Sequence, residues 1–157
     1  MGQTILKQFE MTRNFFLKKV EALPIDILEV QPEGFNNNIL WHIGHVLTVT
    51  EQFMFGFPKK TTFLPENYVE LFGNGSKPSN WIEEEVPQIE ELISQLKEQV
   101  VRLKEIPVES FEQVLQKPFL GLETYGELAQ MALFHEAHHL GQIHTIQRVI
   151  STQSITN

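Results

Sequence analysis

The stretch Phe134-His135-Glu136-Ala137-His138-His139-Leu140-Gly141-Gln142-Ile143-His144 holds four of the six histidines in the chain. The other two, His42 and His45, lie together in Trp41-His42-Ile43-Gly44-His45. Around the first stretch, Leu128, Met131, His135, His139, Gln142, Ile146 and Val149 follow one another at steps of three and four residues, which puts them on one face of a helix. Two histidines thus stand in a seam that is otherwise apolar. A buried imidazole without a partner costs roughly 1 to 3 kcal/mol, and one divalent cation satisfies several together. His135 and His139 supply two nitrogens from one helix face. A third from the Trp41–His45 segment would complete a three-histidine site with positions left open for water or substrate.

Working outward, Thr124 and Glu127 form the pattern of a capping box, which opens this last helix and lets it run to about Ile150. The segment from Pro107 to Leu122, with Pro118 and Gly121, carries no clear period. Before it, Val86, Ile89, Ile93, Leu96, Val100 and Leu103 mark a helix, with Glu83 to Glu85 at its positive end and Pro87 expected in its first turn. Residues 57 to 80 form a long connection with Pro58, Pro65, Gly73, Gly75 and Pro78 and interspersed aromatics. We expect either a flap over one end of the bundle or an Ω-loop filling a gap.

Nearer the N-terminus, Ile39, Ile43, Val46, Leu47, Val49 and Phe53 share one side of a helix from about Ile39 to Phe55, capped by the last of three asparagines, Asn38. On a wheel of 100° per residue His42 falls inside this apolar arc and His45 at its edge. Periodicity does not choose between them. The first helix, from about residue 3 to 21, carries Ile5, Phe9, Phe16 and Val20 and ends ahead of Pro24. No period-2 strand and no repeat stands out. Four main helices joined by connectors make an all-α four-helix bundle with a long loop between helices 2 and 3.

The chain has 157 residues, which suits one domain spanning 1–157. Its formal charge of −8 repels polyanions, and no basic run or basic aromatic platform is present, so no nucleic-acid partner is expected. Cysteine is absent, which leaves metal chemistry to histidine and carboxylates. With no signal peptide and no apolar run of about eighteen residues, we expect no membrane partner and a cytoplasmic location.

The remaining histidines have ordinary readings. His42 suits a hydrogen-bonded packing role. His144, about 180° from His135 on the wheel, is expected at the surface. His138 lies close enough to the seam to compete with His139, but the four-residue pair is the cleaner one, leaving His138 to orient a ligand or meet solvent. Gln142 on the metal face either orients a ligand or packs. His135-Glu136-Ala137-His138-His139 also matches H-E-x-x-H, the zinc-protease signature whose Glu is a general base. Its longer form fails by one place, since Gln142 and Thr145 stand where Gly and His are needed. Glu136, about 100° from His135, is expected to miss the metal, though within reach of its surroundings.

The Trp41-x-x-x-His45 arrangement, followed by His135-x-x-x-His139-x-x-Gln142-Ile143, resembles the DinB/YfiT-like superfamily, the damage-inducible metal-binding helical family and not the polymerase that shares the name. The resemblance covers nearly the whole chain. It implies an up-down-down-up four-helix bundle, homodimeric in many members, and it selects His45, His135 and His139 as metal ligands. The metals it implies are zinc or nickel, between which three imidazoles do not discriminate. It also implies a small-molecule substrate and transferase or isomerase chemistry with a low-molecular-weight thiol such as bacillithiol or mycothiol. Metal-bound water or thiolate would be the reactive species, because an open metal position lowers the pKa of what it binds. A metal-dependent hydrolase using the same ligands and a non-catalytic metal-binding protein are the alternatives. Trp41, Tyr68 and Lys77 are candidate substrate contacts, with the Gly73–Lys77 turn, which could meet an anion through backbone N–H groups or simply be solvated.

Overall fold

Apolar residues at helical spacing become helices in a computed structural model that describes residues 1–155. Helix α1 (Gly2–Glu21) buries Ile5, Phe9, Phe16 and Val20. Helix α2 (Ile39–Phe55) begins at Asn38, whose side chain accepts the Trp41 backbone N–H at 2.8 Å, and stops at Gly56 in the left-handed conformation at φ 70°. Helix α5 (Tyr125–Ile155) opens on the capping box: Glu127 N–H donates to Thr124 Oγ1 at 3.2 Å and Thr124 N–H to Glu127 Oε2 at 2.9 Å.

Of the two readings of the 57–80 segment, the loop that fills a gap fits the packing and the flap does not: the segment contains a short helix, α3 (Tyr68–Phe72), and buries Phe57, Leu64, Leu71 and Phe72. Two other connectors depart from the expectation. The next long helix, α4 (Ile89–Lys104), starts after Pro87, because Val86 ahead of the proline is held extended at φ −80°, ψ 121°. Between α4 and α5 stands an unforeseen antiparallel hairpin, β1 (Val114–Phe119) and β2 (Leu122–Thr124). It shows no alternation because β1 is exposed on nearly every residue, and its Pro118 is of the kind that edge strands tolerate.

Helix α2 packs against α5 and α4, and α1 packs against the same two, so α1 and α2 face each other across the diagonal of the bundle. The core falls into two apolar clusters. One gathers Phe16, Ile43, Leu47, Phe72, Leu96 and Ile143; the other gathers Phe9, Met54, Leu103, Phe111 and Leu133. On every main helix a buried polar residue separates them: Arg13, Glu51, Gln99 and Glu136, all 0% exposed.

These four are bonded into one belt. Arg13 donates from Nε and Nη2 to the two oxygens of Glu136 at 2.8 and 3.0 Å, from Nη1 to the Leu96 carbonyl at 2.8 Å, and from Nη2 to Gln99 Oε1 at 3.0 Å. Gln99 passes the chain on to Glu51 Oε2 at 2.7 Å, and Arg102 closes it with two bonds of 2.9 Å to the same carboxylate. Arg13 and both carboxylates are thereby paired away from water while Arg102 keeps its side chain 12% exposed, with geometry that offsets their desolvation. Replacing Arg13 by Met is expected to destabilise the protein by about 3 to 5 kcal/mol in urea unfolding, because Glu136 is left buried and unpaired. Adding Glu136→Leu should recover a large part of that loss, whereas additive losses would show that the two side chains act independently.

Candidate metal centre

The site lies where α5 crosses α2. His135 and His139 are one turn apart on α5, and His45 faces them from α2. His135 Nε2 stands 3.0 Å from His45 Nε2 and 3.1 Å from His139 Nε2. One ligand atom from each of the three lies within 4.8 Å of the others. Tetrahedral coordination at a metal–nitrogen distance of about 2.0 to 2.1 Å puts neighbouring nitrogens about 3.3 Å apart, close to what is found.

The surroundings of His45 dictate which nitrogen it presents. His45 Nδ1–H donates to the Phe72 carbonyl, which leaves Nε2 bare toward the other two rings. That bond exists because α3 lies hard against α2: a Cβ on Gly44 would collide with the Phe72 ring. Trp41 stacks on the other side of His45, with ring centroids 4.2 Å apart and planes at 16°, and is anchored by Nε1–H to Ser76 Oγ at 2.8 Å. His139 Nδ1 is paired with His42 Nδ1 at 2.8 Å, so His42, the rival of His45 in periodicity, turns out to hold a ligand by its rear nitrogen. His135 Nδ1 is buried without a hydrogen-bond partner among the described residues.

Electrostatics complete the fit. Burial is the largest cause lowering all four inward imidazoles: His42 and His135 to about 4, His139 to about 2, and His45 in the same direction against the opposing pull of its bond to Phe72. Their mutual repulsion lowers His42, His135 and His139 further. The rings are therefore neutral near pH 7, with their Nε2 atoms gathered at one place between α2 and α5. A divalent cation is the species that such a donor set suits.

The other expected residues divide clearly. Gln142 and His138 line a cavity of about 530 Å³ that opens from the histidines toward Asn36, Asn37 and Trp41. His144 is exposed against Lys19. Tyr68 is carried into the core, its hydroxyl donating to Gln95 Oε1 at 2.9 Å, and Lys77 is exposed and lines neither cavity at the histidines. From the same turn Asn74, which sequence did not single out, borders both. Glu136 is spent on Arg13 through both oxygens and is withdrawn from the site. A second cavity, of about 480 Å³, adjoins His45 and His135 and is lined by Val49, Gln52, Phe53, Met131 and the hairpin residues Phe119 and Leu120. The hairpin side was illegible because its position over α2 and α5 depends on a connector without periodicity.

Two outcomes follow. His42→Ala, with all three ligands intact, is expected to weaken zinc binding about 10- to 100-fold in a chelator competition; unchanged affinity would mean that the His42–His139 pair does not orient the ligand. In metal-free protein, imidazoles with folded pKa below the unfolded 6.5 bind more protons when unfolded. Their stability contribution is therefore complete above pH 6.5 and declines as pH falls toward about 4. Urea midpoints across that range test this, and a midpoint that rises on acidification would contradict it.

No curated protein matches the chain. The family model of the DinB superfamily matches residues 8–143, a span that takes in every histidine of the site and all but the first turns of α1. The chain belongs to the DinB superfamily.

Proposed function

We propose that this protein is a metal-dependent enzyme that transfers an electrophilic group to the sulfur of a low-molecular-weight thiol, with His45, His135 and His139 as ligands to zinc or nickel. The observation that carries the proposal is the convergence of three neutral Nε2 atoms on a place bordered by two cavities. The chemistry a divalent cation supplies there is to lower the pKa of a coordinated thiol or water. The thiol then loses its proton to solvent, its sulfur forms a bond to the electrophilic carbon, and the leaving group departs with the bonding electron pair.

What the chain itself does is orient and exclude. Phe72 and His42 hold the rear nitrogens of His45 and His139, so that the ligands meet their partner without reorganising. Trp41 covers one face of His45 and limits water there. Hydrolysis by the same ligands is the weaker reading, because the carboxylate that H-E-x-x-H would recruit as base is committed to Arg13. Homodimerisation and the up-down-down-up course of the helices belong to the same proposal. The second is supported by the order in which the helices meet the two apolar clusters: α1 and α5 reach Phe9 and Leu133 before Phe16 and Ile143, and α2 and α4 reach Leu47 and Leu96 before Met54 and Leu103.

Protein purified without added metal is expected to carry about one zinc or nickel per chain by elemental analysis, and His135→Ala to carry little. Equal content in both would remove His135 from the site. With 1-chloro-2,4-dinitrobenzene as electrophile, product should require added thiol and should disappear on chelation. Product formed without thiol would favour hydrolysis, and no turnover with any thiol or electrophile in a broad panel would favour a non-catalytic metal-binding protein.

A further inference from the structure

The two cavities that meet at the histidines differ in chemistry. They share His45, His135 and Asn74. Beyond these, one adds Asn36, Asn37, His138 and Gln142 to the aromatic rings of Phe35 and Trp41, and the buried Oδ1 of Asn37 has no hydrogen-bond partner among the described residues. The other is walled mainly by Val49, Phe53, Met131, Phe119 and Leu120, with Gln52 as its further polar residue. At about 480 Å³ the apolar one is of the size that small-molecule sites have.

Its outer wall is built at a conformational cost. Leu120 and Gly121 form the two-residue turn of the hairpin, with φ of 52° and 83°. This is the positive-φ pair of a type I′ turn, for which Asn-Gly is the favoured sequence. Leu120 is the one non-glycine residue with positive φ among those described, and it is 76% exposed. A leucine there gains nothing for the turn, since it strains the backbone and leaves an apolar side chain in water. Beside it Phe119 remains 40% exposed and meets Phe53 edge-on at 5.3 Å. Strain and exposure fall together on the residues that border the metal centre, the pattern expected where side chains wait for a ligand.

We infer that the chamber formed by Val49, Phe53, Met131, Phe119 and Leu120 binds the hydrocarbon part of the substrate whose reactive atom lies at the histidines, and that the hairpin tip selects for it. The asparagine-edged chamber is left for a hydrophilic co-substrate. This rests on the metal-centre reading above, and the test separates the two.

Acetohydroxamic, butanohydroxamic, hexanohydroxamic and octanohydroxamic acids share a metal-binding head and differ only in tail length. Calorimetric titration of zinc-loaded full-length protein should show affinity rising roughly fourfold per methylene until the chamber is filled. Leu120→Asn, which suits the turn, should keep or raise the melting temperature. It should leave acetohydroxamic acid binding unchanged and weaken octanohydroxamic acid about tenfold. A flat series in the parent, or the same slope in parent and variant, overturns the inference. Long-chain binding that survives chelation, with no zinc-dependent binding of acetohydroxamic acid, supports the chamber and overturns the metal reading. No binding by any member overturns both.

Discussion

The pairing of Arg13 with Glu136 is the constraint that the remaining geometry depends on. Each ion alone would cost several kcal/mol to bury, so the bundle is stable only in arrangements that bring α1 and α5 together at this height with both side chains turned inward. Gln99 and Glu51 extend the requirement to α4 and α2. A purely apolar core would tolerate small rotations and slips of one helix past another, but a belt of directional bonds through all four does not. Because consecutive helical residues differ by about 100°, aiming Glu136 at Arg13 also aims its neighbour His135 toward α2. The polar belt and the metal ligands are thus two consequences of one rotational setting of α5.

The same setting takes the glutamate of a motif with the letters of a zinc protease away from the histidine cluster. In a protease the Glu must reach substrate water beside the metal, whereas here both Glu136 oxygens accept from a guanidinium in the middle of the core. Its role is positional. On the other side of the site, α2 is buried along nearly its whole length, with α3 pressed on it at Gly44. This dry setting keeps the imidazoles neutral, so that protons compete little with a metal at neutral pH, and it leaves few rotamers for His45 between Trp41 and Phe72. Rigid ligands on packed helices are what a site needs if its partner is to meet the nitrogens already arranged.

Much of this was legible in the sequence because helices announce themselves locally. The three- and four-residue steps from Leu128 to Val149 gave α5 and its histidine face, Asn38 and Thr124 marked where α2 and α5 begin, and Pro24 lay just beyond α1. The clustering of all six histidines in two short segments exposed the site itself, while the choice of His45 over His42 needed the family resemblance. What stayed hidden depends on distance along the chain. No local pattern marks Arg13, since its partner is 123 positions away. Tyr68 looked available for substrate because nothing in a loop of mixed aromatics shows that α3 would carry its ring into the core. The hairpin escaped because neither of its faces is consistently buried, so β1 has no alternation to detect.

A division of labour follows from where these elements sit. The three histidines come from α2 and α5, two of the four helices that the core and the belt hold together, while the mainly apolar wall of the adjoining chamber comes in part from a hairpin held to α5 by its own short strands. The side chains of residues 119 and 120 make none of the hydrogen bonds of the belt or of the histidine cluster. Their replacement therefore leaves those bonds in place, whereas on the proposed function the shape offered to a substrate changes with each side chain placed there. On the proposed function, a bundle built in this way keeps one histidine cluster and alters what it acts on through an exposed hairpin tip. The strained Leu120, which a stability criterion alone would replace by asparagine, is the residue at which the two demands part.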